Sequence, residues 1–296
     1  MDEFLNDLYT FEEIIDKRPY SMTIKAKDKV NGKTYAIKKV IANDNLMNKL
    51  IIREIKILML LKDNEYTVKY KDAYKNKNIY YIVTEFLESY VTLYEYIKIN
   101  YIILPEKASL IFDNMIKGLK SIHDSGFVHR DIKIDNIMVN PATFEIKYID
   151  FGAADAKETF KRRSLYTTPY SYLNPKLVNI DYDDLTLNML KISDLFSLGT
   201  TFYLMMTKEY FFDKYKMNKR ISFSTLQNEI LKYPIFIESP LYKEYALLFD
   251  EYYKLYNWIE SDHIKRLNEY RRNNNLKEID FDRLFLANIE SEPIYE

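Results

Sequence analysis

His129-Arg130-Asp131-Ile132-Lys133-Ile134-Asp135-Asn136, followed by Asp150-Phe151-Gly152, is the stretch whose reading decides the fold. Asp150 stands 14 positions after Asn136, across an apolar segment that closes in Lys147-Tyr148-Ile149. The arrangement supplies carboxylates, an amide and a lysine at a short, fixed spacing. Hard oxygen ligands of this kind suit magnesium, and an aspartate among them can accept or orient a hydroxyl proton. An Asp-Phe-Gly tripeptide alone is weak, because it arises by chance. The octet and tripeptide together carry the spacing that protein phosphoryl transfer requires.

The flanking sequence supports an α+β reading. Just upstream, residues 106–125 follow a helical pattern that ends at Gly126, a glycine suited to the position after a helix C-cap. A shorter helix is predicted over 91–99, and strands over 66–74 and 79–87. Leu46 to Leu61 predicts an amphipathic helix with Leu50, Ile51, Ile55, Leu58 and Met59 as its apolar face. From Phe11 to Val40, strand-like runs break at Asn31-Gly32, a strong hairpin signal. Downstream, the apolar run from Leu195 to Met206 contains Ser197, Gly199 and two threonines. It falls short of a membrane span and reads as a buried helix.

With these residues in place, the chain resembles the eukaryotic-type protein kinases from about residue 10 to about residue 210. The resemblance implies a single two-lobed α+β domain: an N-lobe of about 1–85 with a small antiparallel sheet and one helix, a hinge near 85–89, and a mainly helical C-lobe from about 90 to 296. It implies ATP and Mg2+ as cofactors and a protein as substrate. Tyr35-Ala36-Ile37-Lys38 resembles the strand whose lysine meets the phosphates, and Glu54 stands where that lysine's partner belongs. By the same resemblance Asp131 is the base, while Asn136 and Asp150 hold magnesium. Lys133 steadies the transferred group and favours serine or threonine acceptors. Ile15, Thr23, Ala36, Thr84, Glu85, Leu87 and Met138 would line the nucleotide, Thr84 as gatekeeper and Glu85 and Leu87 through their backbones. Leu58, Tyr70, His129 and Phe151 match an apolar stack, which makes His129 a packed structural histidine; His123 and His263 also read as structural. Ser193 to Gly199 resembles a buried helix in which Asp194 anchors the catalytic-loop backbone, with Phe196 replacing the usual tryptophan.

Two segments depart from the family pattern. Where three glycines belong, Ile15 to Thr23 has Asp16, Arg18 and Ser21, with Pro19 stiffening the turn. Asp16 would repel a triphosphate, whereas Lys17 and Arg18 could replace lost amide contacts with charge. Further on, Thr167 to Lys176 resembles the substrate-docking segment, but Lys176 reverses the charge of its closing glutamate. Thr159, Ser164, Tyr166 and Thr167 lie near Lys161-Arg162-Arg163, and Arg130 resembles an arginine that holds an added phosphate. The basic run reads equally as a solvated loop or a recruiter of acidic substrates. Past Tyr210 the resemblance is weak.

Whole-chain properties set the outer bounds. The 296 residues include 28 Tyr and 17 Phe, ample for a core. A formal net charge of −1 argues against a nucleic-acid packager, and the absence of cysteine excludes disulfides and thiol nucleophiles. The acidic start Met1-Asp2-Glu3 does not read as a signal peptide. An intracellular protein kinase with no membrane or nucleic-acid partner is the expectation, its oligomeric state open. A pseudokinase scaffold with weak nucleotide binding is the second reading, supported by the glycine-free loop and Lys176. A small-molecule kinase is the third.

Overall fold

The computed structural model describes residues 3–100, 103–156 and 187–208. The chain divides into two compact units, Met1–Lys161 and Arg162–Glu296. The expected loop phosphoacceptors, the docking segment with Lys176, His263 and everything past Tyr210 lie outside the described residues.

In the first unit, helix α1 (Glu3–Leu8) leads into a five-stranded antiparallel sheet of order β1-β2-β3-β5-β4, formed by β1 (Tyr9–Lys17), β2 (Ser21–Asp28), β3 (Thr34–Ile41), β4 (Tyr70–Asn76) and β5 (Ile79–Glu85). The Asn31-Gly32 signal is a true hairpin: Lys27 pairs Thr34, Gly32 sits at φ +70°, and the Asp28 carboxylate accepts from the Val30 and Asn31 N–H groups. Strand alternation assigns the two faces. Ile24, Ala26, Ile37, Tyr81 and Val83 form one apolar cluster with Leu5 of α1 and Tyr9. The intervening residues of β3, Ala36 and Lys38, take the opposite face, and their cross-strand partners are Thr84 and Thr23. One strand thus serves core and site at once.

Helix α2 (Asn45–Leu60) is capped by Asp44, whose carboxylate accepts from Met47 N–H at 2.7 Å. Its buried residues are Ile51, Glu54, Ile57 and Leu58. The expected face was partly wrong: Met59 is 48% exposed, while the charged Glu54 is buried. The strand predicted over 66–74 begins at Tyr70 and runs on to Asn76.

After β5 come β6 (Val91–Thr92), α3 (Leu93–Ile99) and α4 (Pro105–Asp124). Pro105 occupies the first turn of α4, where a missing N–H costs nothing, and Gly126, at φ +86°, follows its C-cap as expected. Then β7 (Phe127–Val128), β8 (Ile137–Val139), β9 (Ile146–Tyr148), a single 3-10 turn (Phe151–Ala153) and β10 (Asp155–Ala156) frame the octet. The strands pair as β6-β8-β9 and β10-β7. Gly118 lets α4 approach β9 closely, because a Cβ there would lie 2.8 Å from the Tyr148 ring and 2.9 Å from Tyr66 Cβ.

In the second unit, α5 (Leu187–Thr207) buries Leu195, Phe196, Leu198, Phe202, Tyr203, Leu204 and Met205, together with Asp194. It is the buried helix the sequence suggested. Among the described residues, no helix is long and apolar enough to cross a membrane.

Candidate active site

Lys38 is the centre of the first charged cluster. Its ammonium donates to Glu54 Oε1 on α2 and to Asp150 Oδ1, each at 2.7 Å. Burial works against the charge on Lys38, but the two carboxylates outweigh it and hold its pKa above the ordinary lysine value. The Lys38 charge in turn holds the Asp150 carboxyl well below the usual range, against the burial that opposes it. Glu54 goes the other way: burial raises its pKa more than Lys38 lowers it.

Asp150 takes a left-handed backbone, φ +60°, just ahead of the 3-10 turn, and its side chain accepts from Gly152 N–H at 3.4 Å. Gly152 lies close to both carboxylates. A Cβ there would come within a tight 3.3 Å of Asp150 Oδ1 and into ordinary contact, 3.5 Å, with Glu54 Oε2.

The second cluster surrounds Asp131, which is 8% exposed. Lys133 Nζ donates to its Oδ2 at 2.8 Å, and Asn136 Nδ2 donates to the same oxygen and to the Asp131 carbonyl, both at 2.8 Å. Oδ1 is buried and has no hydrogen-bond partner among the described residues. A buried acceptor left open is costly in a finished core. An oxygen so placed retains the capacity to accept from one further donor.

Local backbone contacts explain how eight residues hold this shape. Asn136 N–H donates to Lys133 C=O and Ile149 N–H to Asn136 C=O, each at 3.0 Å, which ties the octet to the strand leading to Asp150. His129 is fully buried, and its ring lies 4.8 Å from that of Phe151. Its Nε2 donates to the Ile149 carbonyl at 3.1 Å, so Nδ1 accepts from Asp131 N–H at 3.3 Å. The histidine is packing and scaffold, as read from the sequence. His123 is buried too.

The residues expected around a nucleotide are partly assembled. Thr23, Ala36, Lys38 and Thr84 share one sheet face, half-buried. Ile15 falls at a register shift between the Ile14–Ile24 and Asp16–Thr23 pairs and is 50% exposed. Glu85 spends its N–H on the Lys69 carbonyl at 2.9 Å, and the Leu87 carbonyl accepts from Tyr90 N–H at 3.0 Å. Met138 is half-buried on β8, where it pairs Lys147. The glycine-free segment is a tight hairpin: Arg18 N–H donates to Ser21 C=O at 2.8 Å, and Arg18 lies 3.0 Å from Asp16. Arg18 therefore neutralises the carboxylate expected to repel phosphate.

One cluster beside the site was not read from the sequence. Arg53 of α2 and Arg130 of the octet, the latter expected to hold an added phosphate, both reach Asp155, at 2.8 and 3.3 Å. Sequence does carry a signal for Asp155: it is a lone acid in Ala153-Ala154-Asp155-Ala156, and a carboxylate in an apolar run needs a cation.

Comparison with known proteins gives a consistent result. The family model described as "Protein kinase domain" matches residues 9–275. Mitogen-activated protein kinase 15 of Oryza sativa subsp. japonica is 30% identical over 67% of this chain and 41% of its own. Mitogen-activated protein kinase 9 of Arabidopsis thaliana is 30% identical over 67% and 40%. A probable serine/threonine-protein kinase of Dictyostelium discoideum is 32% identical over 63% and 28%. The chain thus spans less than half the length of these relatives.

Proposed function

Because the chain belongs to the protein kinase family, with that family's two-lobed α+β fold, we propose that it transfers the γ-phosphoryl group of ATP to serine or threonine hydroxyls of other proteins, with Asp131 accepting the proton. The observation that carries this reading is the state of Asp131. One carboxylate oxygen is fixed by Lys133 and Asn136, and the other is buried and open. A substrate hydroxyl fits that vacancy as donor, and fixing the acceptor beforehand removes reorganisation from the barrier.

ATP with magnesium would supply the phosphoryl group and the positive counter-charge. The residues present fit both. One ammonium between the carboxylates of Glu54 and Asp150 leaves that cluster short of positive charge. Asn136 uses its NH2 group on Asp131, so its carbonyl oxygen is the end free for a metal, with Asp150 as the second oxygen donor. Lys38 would face the phosphates, aimed by Glu54. Lys133 would neutralise charge on the transferred group, since it already stands beside the accepting carboxylate. Leu87 N–H would meet the adenine edge.

Radiolabelled phosphate transfer from ATP to a basic protein, with magnesium, tests the reading beside Asp131→Asn. Label that disappears in the variant is the expected result. No label from either, across several metal ions and high ATP, would overturn it. The pseudokinase reading draws on the hairpin without glycine at Arg18-Pro19-Tyr20 and, from the sequence, on Lys176. Failure of ATP and magnesium to raise the melting temperature would favour it.

A further inference from the structure

Two arginines from different elements meet on one buried carboxylate. Arg53 Nη1, on α2, donates to Asp155 Oδ2 at 2.8 Å, and Arg130 Nη1 donates to the same oxygen at 3.3 Å. Asp155 is fully buried, and its other oxygen accepts from Ala156 N–H at 2.9 Å. Pairing of β10 with β7 sets Asp155 opposite Val128, two residues before Arg130. Removing one member of such a cluster strands a buried charge, so the three side chains hold one another in place.

Neither arginine is placed at the reacting atoms, yet each adjoins a residue that is part of the site. Arg53 precedes Glu54, which aims Lys38; Arg130 precedes Asp131. Arg130 is also held at φ +66°, a left-handed conformation that is strained for a side-chain-bearing residue and persists only where its surroundings enforce it. Rotation of α2 that took Glu54 off Lys38 would pull Arg53 off Asp155. Relaxation of Arg130 would turn the backbone at Asp131. One carboxylate opposes both movements.

We infer that Asp155 is a positioning residue that clasps α2 to the catalytic loop, holding the Lys38–Glu54 pair and Asp131 in one working arrangement; this rests on the phosphoryl-transfer reading above. The counter-charge is a side chain of the protein itself. The clasp therefore needs no added phosphate.

The test compares the full chain with Asp155→Asn, Asp155→Glu, Glu54→Gln and the Glu54→Gln/Asp155→Asn double variant, in kcat/KM and in amide hydrogen exchange. Asp155→Asn should lower kcat/KM about 100-fold, the scale of a small misplacement, and Asp155→Glu should recover most of it. Adding Asp155→Asn to Glu54→Gln should cost clearly less than the product of the two single losses, because both act in part through the Lys38–Glu54 pair. Exchange should quicken in 45–60 and 129–136 together, with β2, β3 and β5 unchanged, and phosphatase treatment of the wild type should leave kcat/KM intact. Wild-type kcat/KM in Asp155→Asn, losses that multiply in the double variant, unaltered exchange in α2, or activity lost to phosphatase would each overturn the inference. If Asp155→Asn does not fold, Arg53→Gln takes its place. A wild type without Asp131-dependent transfer sinks the parent reading alone, and the exchange measurement still decides the clasp.

Discussion

Asn136 grips Asp131 twice, its side-chain NH2 donating to the aspartate's own carbonyl and to Oδ2, both at 2.8 Å. The first bond fixes the backbone and the second fixes the carboxylate plane. With Lys133 on the same oxygen, Oδ1 is the only end left to meet a hydroxyl.

Asn136→Ala should therefore lower kcat about 100-fold, within the range that a well-placed proton acceptor contributes, while the protein stays folded. Steady-state kinetics beside a thermal melt check this. A folded variant with near wild-type kcat would mean that Lys133 alone holds Asp131.

Lys38→Met leaves Glu54 and Asp150 facing each other without a cation. Phosphoryl transfer should be lost, and stability should fall by about 1–3 kcal/mol, the cost of a buried polar group without its partner. Adding Glu54→Gln should raise the melting temperature again without restoring activity. A double variant no more stable than Lys38→Met would refute the pairing as the source of the loss.

Much of this site is legible in sequence because the octet and the tripeptide are local. Spacing fixes which side chains converge, and short backbone bonds do the rest. The α2 face was harder to read. Apolar periodicity favoured Met59, but Glu54 is the residue buried, because a partner from β3 makes that burial tolerable. Asp155 stands out in the sequence only as a lone acid, without a sign of what pairs with it. Its two cations are 102 and 25 positions away, and nothing local announces them. The turn at Arg18-Pro19-Tyr20 shows the converse, since an Asp16–Arg18 pair supplies what looked like a simple defect.

Asp150 gives a pH dependence with a definite sign. Lys38 depresses its pKa in the folded protein, so between the folded and unfolded values the unfolded chain binds more protons. Stability from this group is full above the unfolded aspartate value of about 3.9 and is lost as pH falls through the folded value. The melting-temperature gap between wild type and Asp150→Asn should be constant from pH 7 to about 5 and shrink below about 4. A gap that grew in acid would contradict the assignment.

The glycine-free hairpin predicts opposite effects from two neighbours. Asp16→Ala should lower the KM for ATP, and Arg18→Ala should raise it by exposing the Asp16 charge. Both are surface groups, so each effect should be a few-fold and should fade in high salt. Matching shifts in one direction would show that the pair does not face the nucleotide.

Gly118→Ala should destabilise, although alanine is the better helix former. Its Cβ would meet Tyr148, which cannot retreat because its hydroxyl is bonded to the Met115 carbonyl at 2.7 Å. A loss of about 1–3 kcal/mol in denaturant melts is expected, the usual cost of overpacking. A gain would mean that α4 can shift away from β9.

Helix α1 has a practical consequence for anyone trimming this protein. The family match begins at residue 9, but Leu5 is completely buried against Ala26, Ile37, Tyr81 and Val83. A fragment cut at the match boundary would keep the whole candidate catalytic set and still uncover that face. It would give up about 1.5–3 kcal/mol of leucine burial and leave an oily patch on an otherwise intact sheet. Poor yield or clumping of such a fragment would report on a missing lid of six residues (Glu3–Leu8), and would be mistaken easily for a fault in the candidate active site.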